Sequence, residues 1–232
     1  MNETRGNAGG NDPEVLDSNV LDSSRPDSSS PDPGTLDWSK GGGLLPAVVQ
    51  DAATLRVLML GWMNHAALAA TLDLGLVTFF SRSRGRLWTK GERSGNALEL
   101  VSLRADCDRD TLLVLARPRG PTCHLLRPSC FPDAPGAALA ELDVLLAERE
   151  CERPPGSYTT QLFESGVRRI AQKVGEEGVE TALAAVAEDD AALLGEAADL
   201  AYHLLVLLRS RGLGLADLER RLAARRTGAP SP

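Results

Sequence analysis

What this chain lacks narrows it first. No stretch of its 232 residues approaches the roughly 18 consecutive apolar residues of a membrane-spanning helix, so no span is expected. It has no excess of positive charge: 25 Lys and Arg stand against 32 Asp and Glu, a net of −7. That balance argues against broad contact with a nucleic-acid backbone, and any phosphate-bearing ligand must be met by a local basic cluster. The N-terminus carries neither an apolar signal segment nor the Arg-rich, acid-poor pattern of an organelle transit peptide, and a cytoplasmic protein is expected. Cysteine is scarce, four in all; in a reducing compartment these point to metal or catalysis before disulfides. The length allows two modest domains, each with its own core.

What is there divides into parts. Residues 1–36 form a tail in which Asp12, Asp17, Asp22, Asp27 and Asp32 recur every fifth residue, a repeat that Asp37 continues. A period of five matches neither helix nor strand, so no face becomes apolar. With its Ser and Pro content the tail is expected to be disordered. From Leu44 the texture changes. "LLPAVVQ" and "TLRVLMLG" read as a strand pair joined by "DAA", and Asn64 caps a helix through "HAALAATLDL". "LVTFFS", "NALELVSLRAD" and "DTLLVLAR" then read as strands. This mainly β part, residues 37–133, is followed by a helix and linker at 134–156. The helix is expected to carry Leu139, Leu142, Val144, Leu145 and Leu146 along one side. Residues 157–226 are almost wholly helical in pattern, with turns at "EDD" and "RGLGL". The expected class is α+β with two domains, a mainly β N-terminal one and an all-α C-terminal bundle.

Three stretches of the β part carry chemistry. In "DCDRDT", Asp106, Asp108 and Asp110 alternate with Cys107 and Arg109, a crowding of like charge that needs a cation. If the segment is extended, the three aspartates share one side and Cys107 faces the other. Hard oxygens suit magnesium and a soft thiolate suits zinc, so one short segment could serve two metals. The plain alternative is an acidic turn beside a buried thiol. In "GPTCHLLRPSCF", Cys123 and Cys130 sit in a loop punctuated by Gly and Pro. With Cys107 they make three thiolates, and three protein ligands plus water is the pattern of a catalytic zinc. His124 is a fourth ligand or a proton-transfer group; the alternative is thiols that fill a core. In "SRSRGRLWTKGERSGN", Ser81, Arg82, Ser83, Arg84 and Lys90 supply donors for a phosphate seat. Trp88 offers a flat surface for a base, and Glu92 and Ser94 complete the stretch. A basic hairpin turn is the alternative there.

The helical part has its own cluster. Lys173, Glu176, Glu177 and Glu180 share one helical face, and Glu196 and Asp199 lie one turn apart on the next helix, with Tyr202 and His203 following. Val167, Ile170, Val174 and Leu183 are available for the core side of the first helix. An acidic face alone is usually just solvated, but two that pack together need a cation between them. The spacing leaves open whether Glu176 or Glu177 is the first ligand. Gly175 and Gly178 cost helix stability, which close helix approach would explain.

Taken in order, these stretches resemble a known pair of enzymes. "SRSRGRLWTKGERSGN", "DCDRDT" and "GPTCH…SCF" are similar to phosphoribosyl-AMP cyclohydrolase. "RIAQKVGEEGVETALAA" and "EAADLAYHLLVLL" are similar to phosphoribosyl-ATP pyrophosphohydrolase. Their order and linker resemble the bifunctional enzyme of histidine biosynthesis, over about residues 36–226. The resemblance implies zinc on Cys107, Cys123 and Cys130 and magnesium near Asp106, Asp108 and Asp110. It implies a second magnesium on Glu177, Glu180, Glu196 and Asp199, and a homodimer whose zinc sites draw ligands from both chains. It also implies that the helical half converts phosphoribosyl-ATP to phosphoribosyl-AMP and pyrophosphate, after which the β half opens the adenine ring at N1–C6. His124 is the candidate for moving the proton there, and Lys173 and Glu177 are the catalytic candidates of the helical half. Leu125 and Leu126 depart from the Gly and small or polar residue that members carry after the histidine. A zinc deaminase is disfavoured because its H-x-E and C-x-x-C signature is absent. The rivals are a general nucleotide pyrophosphohydrolase with a non-catalytic zinc-binding N-terminal module, and a binding module with structural cysteines.

Overall fold

The computed structural model describes residues 30–226. The rest of the aspartate repeat lies outside the described residues. Its last residues are more ordered than expected. Asp32 caps a short 3-10 turn at Pro33–Thr35 by accepting from the Gly34 amide, and Leu36 is buried in the core of the β half. The expected disorder therefore stops short of residue 36, because the first apolar side chain after the repeat finds a place in the sheet's core.

Strands β1 (Leu45–Asp51) and β2 (Val57–Met63) pair antiparallel, the strand pair expected of two short aliphatic runs. Asn64 then accepts from the Ala67 amide to start helix α1 (His65–Leu74), which ends at Gly75 in the left-handed region. Next come β3 (Thr78–Ser81) and β4 (Arg86–Thr89), a separate two-stranded hairpin. Strands β5 (Leu98–Ala105) and β6 (Leu112–Pro118) complete a four-stranded sheet in the order β2–β1–β6–β5. β1 and β6 run parallel, with Ala47 opposite Leu112 and Val49 opposite Val114. That register places Leu45, Ala47 and Val49 on the same buried face as Leu112, Val114 and Ala116.

Helix α2 (Ala138–Glu152) leads to α3 (Tyr158–Ser165), α4 (Val167–Ala187), α5 (Asp190–Arg209) and α6 (Leu215–Arg226). These enclose a second core around Leu146, Leu162, Ile170 and Val206. The face expected of α2 is corrected. Leu139 and Leu145 are exposed, and the buried positions are Ala140, Asp143 and Leu146. A carboxylate occupies that face because Arg209 grips it with two hydrogen bonds and the Leu215 amide adds a third. On α4, Ile170 is buried but Val167 and Leu183 are exposed. Gly175 and Gly178 have open space where a Cβ would stand, so close helix approach within this chain does not explain them. Helix α5 is long and apolar enough by length and composition to cross a membrane, although Glu196, Asp199 and His203 break it well short of 18 consecutive apolar residues. It packs lengthwise on α4.

Contacts between the halves include Arg56, just before β2, paired with Glu141 of α2 at 2.5 Å, and the Ala137 amide donating to Thr54 O.

Gly61 in β2 faces the ring of Phe79, and a Cβ there would overlap that fully buried ring. Although alanine suits a strand better than glycine, Gly61→Ala is expected to destabilise the protein by about 1–3 kcal/mol through overpacking. Thermal unfolding checks this, and an unchanged or higher melting temperature would show that the ring has room to move.

Candidate functional site

The β half holds a cavity of about 590 Å³, whose walls include Arg84, Trp88, Lys90, Cys123, His124 and Cys130. Glu92 and Ser94 line it as well. Trp88 gets there because β4 pairs with β3, placing its ring 5.1 Å from Phe79 of the core. Lys90 follows the strand, with its ammonium donating to Asn96 O at 2.9 Å. Burial lowers its pKa. Ser81, Arg82 and Ser83 line a neighbouring cavity that shares Trp88, and the Arg82 guanidinium lies 4.4 Å from the centre of the Trp62 ring. The expected phosphate seat is thus split over two adjoining hollows, with Arg84 and Lys90 in one and Ser81, Arg82 and Ser83 in the other.

Cys123 and Cys130 meet in the first cavity. A tight turn, with the Cys123 amide donating to Arg127 O, precedes Cys130, whose amide donates to Leu58 O of β2. Burial chiefly, then the neighbouring Cys123, pushes the Cys130 thiol up. A soft cation would reverse that preference by stabilising the thiolates. Thr122, buried beside them, has a hydroxyl without a hydrogen-bond partner, and the residue lines the same cavity. Such a donor set suits a thiophilic metal. His124 Nδ1 lies 4.0 Å from Cys123 Sγ.

Cys107 is not brought to them. It lies in the turn between β5 and β6, whereas Cys123 follows the far end of β6. Seven residues of strand separate the two ends by about 20 Å at ~3.3 Å per residue. Cys107 is exposed, with Asp108 Oδ1 4.0 Å from its sulfur.

The "DCDRDT" segment is a turn and not the extended segment considered above. Arg109 adopts a left-handed conformation, and Asp106 Oδ1 accepts from the amides of Asp110 and Thr111 at 3.0 and 3.1 Å. Asp readily folds its side chain onto a turn of this kind. The alternation argument therefore fails, yet the turn itself brings one oxygen from each of Asp106, Asp108 and Asp110 within 4.8 Å of the others. Lys40, which sequence reasoning missed, reaches two of them. Its signal in the sequence was only that the triad needs a cation.

In the helical half, Glu177, Glu196 and Asp199 bring one oxygen each within 4.8 Å. Glu177 is buried, and Glu176 is not part of the cluster; it pairs instead with Lys173 and Arg169. Lys173 also reaches Glu177 at 2.9 Å. Glu180 is close enough to act on Glu196, whose pKa is raised by loss of solvent first and then by Glu180, Glu177, Asp199 and Glu188. Behind Glu177 stands a residue that was noted only in passing. Buried His203 has Nδ1 3.5 Å from Glu177 Oε1 and 2.9 Å from Asp199 O, while its Nε2 meets the Tyr158 hydroxyl at 3.2 Å. Its spacing from Asp199, i to i+4, is the sequence signal that places both on one face of α5.

Two family profiles match the chain: phosphoribosyl-AMP cyclohydrolase over residues 59–132 and phosphoribosyl-ATP pyrophosphohydrolase over 139–226. Among curated relatives, the histidine biosynthesis bifunctional protein HisIE of Xanthomonas axonopodis pv. citri is 71% identical over 191 residues, covering 82% of this chain and 93% of that one. The protein of the same name from Xylella fastidiosa is 71% identical, covering 82% and 92%. That of Escherichia coli is 57% identical, covering 82% and 95%. With both profiles matched in order and these relatives aligned over most of their length, the chain belongs to the family of bifunctional histidine-biosynthesis enzymes that join a phosphoribosyl-AMP cyclohydrolase to a phosphoribosyl-ATP pyrophosphohydrolase.

Proposed function

We propose that this metal-dependent bifunctional hydrolase of histidine biosynthesis runs its two reactions at two separate sites with different metals, zinc in the β half and magnesium in both halves. The observation that carries this reading is the segregation of donors. Paired thiols in a basic cavity lie in the span of one family profile alone, while each span holds its own cluster of converging carboxylates.

At the helical site, Glu177, Glu180, Glu196 and Asp199 would hold magnesium, which screens the triphosphate and activates water when bound. Lys173, anchored to Glu176 and Glu177, places positive charge at the edge of the phosphates. His203 keeps Glu177 from turning away by standing behind it, with its own ring fixed by Asp199 O and Tyr158. The product, phosphoribosyl-AMP, is the substrate of the second site. There Arg84 and Lys90 meet phosphate, together with Ser81, Arg82 and Ser83 from the adjoining hollow, while Trp88 gives the adenine a flat surface. Cys123 and Cys130 with Cys107 would hold zinc, a Lewis acid that lowers the pKa of water. His124, at the thiols, moves the proton as the N1–C6 bond opens. Asp106, Asp108 and Asp110 would hold the remaining magnesium.

Because β6 separates Cys107 from the other two thiols, we read the zinc site as completed by Cys107 of a second copy of the chain. The exposed Val179, Leu183 and Val186 of α4 also favour a homodimer, since such a row is costly in water. The substrates are small molecules; we infer no nucleic-acid or membrane partner and place the enzyme in the cytoplasm.

Two sites mean two separable activities. Cys130→Ser is expected to lower ring opening about a hundredfold or more while pyrophosphate release continues, and Glu196→Gln to do the reverse, since a metal ligand supplies several kcal/mol. Product assays on folded protein check this; loss of both reactions in either variant would contradict it.

Glu196 also makes a prediction about stability. Its raised pKa means that the folded protein disfavours the ionised form, so the ionised carboxylate costs stability at neutral pH. That cost fades as pH falls through the raised pKa towards the ordinary 4.5. In metal-stripped protein, Glu196→Gln is expected to raise the melting temperature at pH 7, an advantage that shrinks on acidification and reverses when Mg2+ is added. A lower melting temperature for stripped Glu196→Gln at pH 7 would contradict the crowding.

A further inference from the structure

Between the carboxylates of the β5–β6 turn sits a positive charge that the chain itself supplies. Lys40 Nζ lies 2.6 Å from Asp108 Oδ2 and 3.1 Å from Asp110 Oδ2. Asp106 is within 4.8 Å of both of these carboxylates.

The segment that carries Lys40 is tied to the same turn. The Asp37 amide donates to Arg109 O at 2.8 Å, and Arg109 Nη1 reaches back to Thr35 O at 3.5 Å. Leu36 is buried in the sheet core, and the Trp38 ring stands 4.0 Å from that of His65. The backbone of residues 36–38 is therefore anchored, while the Lys40 side chain, 46% exposed beside a 55% exposed Asp108, is free to leave through rotations of its own stem.

We propose that Lys40 is the built-in counter-ion of the Asp106–Asp108–Asp110 cation site, holding the turn when the site is empty and giving way when a divalent cation binds. The inference rests on reading that turn as a cation site. The same two oxygens cannot serve both partners. A magnesium ion demands carboxylate oxygens at about 2.0–2.1 Å, and an ammonium left within hydrogen-bond reach would repel it. Exposed ion pairs are weak, so the lysine can be displaced. Its presence nonetheless sets a threshold: the site fills only when the cation outcompetes a tethered ammonium. Filling it also releases the Lys40 tie between the turn that bears Cys107 and the segment leading into β1, leaving that of Arg109 to Thr35 O.

The test is direct Mn2+ binding, followed through the electron-paramagnetic-resonance signal of the free ion. Full-length zinc-loaded protein is used, with Glu196→Gln in every sample to silence the helical site. Relative to that parent, Lys40→Met is expected to tighten Mn2+ binding roughly fivefold, as removal of two weak competing ion pairs allows. Lys40→Arg, which keeps the charge, should stay close to the parent, and Asp108→Asn should weaken binding. If Lys40→Met does not fold, Lys40→Gln replaces it. Unchanged or weaker binding in the neutral variant, with Asp108→Asn still weakening it, overturns the counter-ion and leaves the cation site standing. No difference between Asp108→Asn and the parent overturns both.

Discussion

A single strand sets the terms for the β half. β6 is the inner partner of β5 and β1, and its alternating Leu112, Val114 and Ala116 are fully buried. It cannot bend without opening the sheet. One of its ends carries the turn with Cys107 and three aspartates; the other leads into the loop with Cys123, His124 and Cys130. The thiols proposed to share one metal, which would need them within a few ångströms, are thus held at opposite ends of a rigid element about 20 Å long. On this account, completing the zinc site becomes a matter of assembly, with a second chain bringing its turn to the first chain's loop.

The second theme is how the chain lives with crowded carboxylates. At the turn, Lys40 bridges two of the three aspartates. On α4, Lys173 bridges Glu176 and Glu177, and His203 stands against Glu177 from the neighbouring helix. Each cluster keeps a partner of its own, but neither partner neutralises all the carboxylates present, and Glu196 shows the residue of that imbalance in its raised pKa. On the proposed reading, partial compensation leaves negative charge at both clusters for a metal to neutralise. Asp143, by contrast, is fully gripped by Arg209 and the Leu215 amide. It belongs to the packing of α2 and offers nothing to a ligand.

Much of this was legible in the residues. The aliphatic runs "LLPAVVQ" and "DTLLVLAR", and Asn64 ahead of an apolar helix, were local signals, and local physics decided them. The acidic face of α4 was readable too, but spacing left Glu176 and Glu177 equal; only the packing of α5 buries Glu177 and brings it to Glu196 and Asp199. What failed was whatever depended on a partner distant in the chain. The "DCDRDT" segment was open between an extended stretch and an acidic turn, and the contact of Asp106 with the Asp110 and Thr111 amides decides for the turn. Lys40 and its aspartates stand 68 and 70 residues apart, beyond any spacing rule. Asp143 broke the apolar face of α2 for the same reason, its arginine lying 66 residues away. The tail's end was misjudged at Leu36, where one apolar residue after a polar repeat proved enough to dock.

The claim that the zinc site is completed across two chains is the one most open to direct measurement. Cys107→Ala and Cys123→Ala homodimers are each expected to lack ring-opening activity. When the two are denatured and refolded together, a mixed dimer gathers both lesions in one shared site and leaves the other intact. With about half the dimers mixed and one good site in each, roughly a quarter of wild-type activity should return. If every site were built within one chain, each would carry a lesion. No recovery, with chain exchange confirmed by distinguishable tags, would contradict the account.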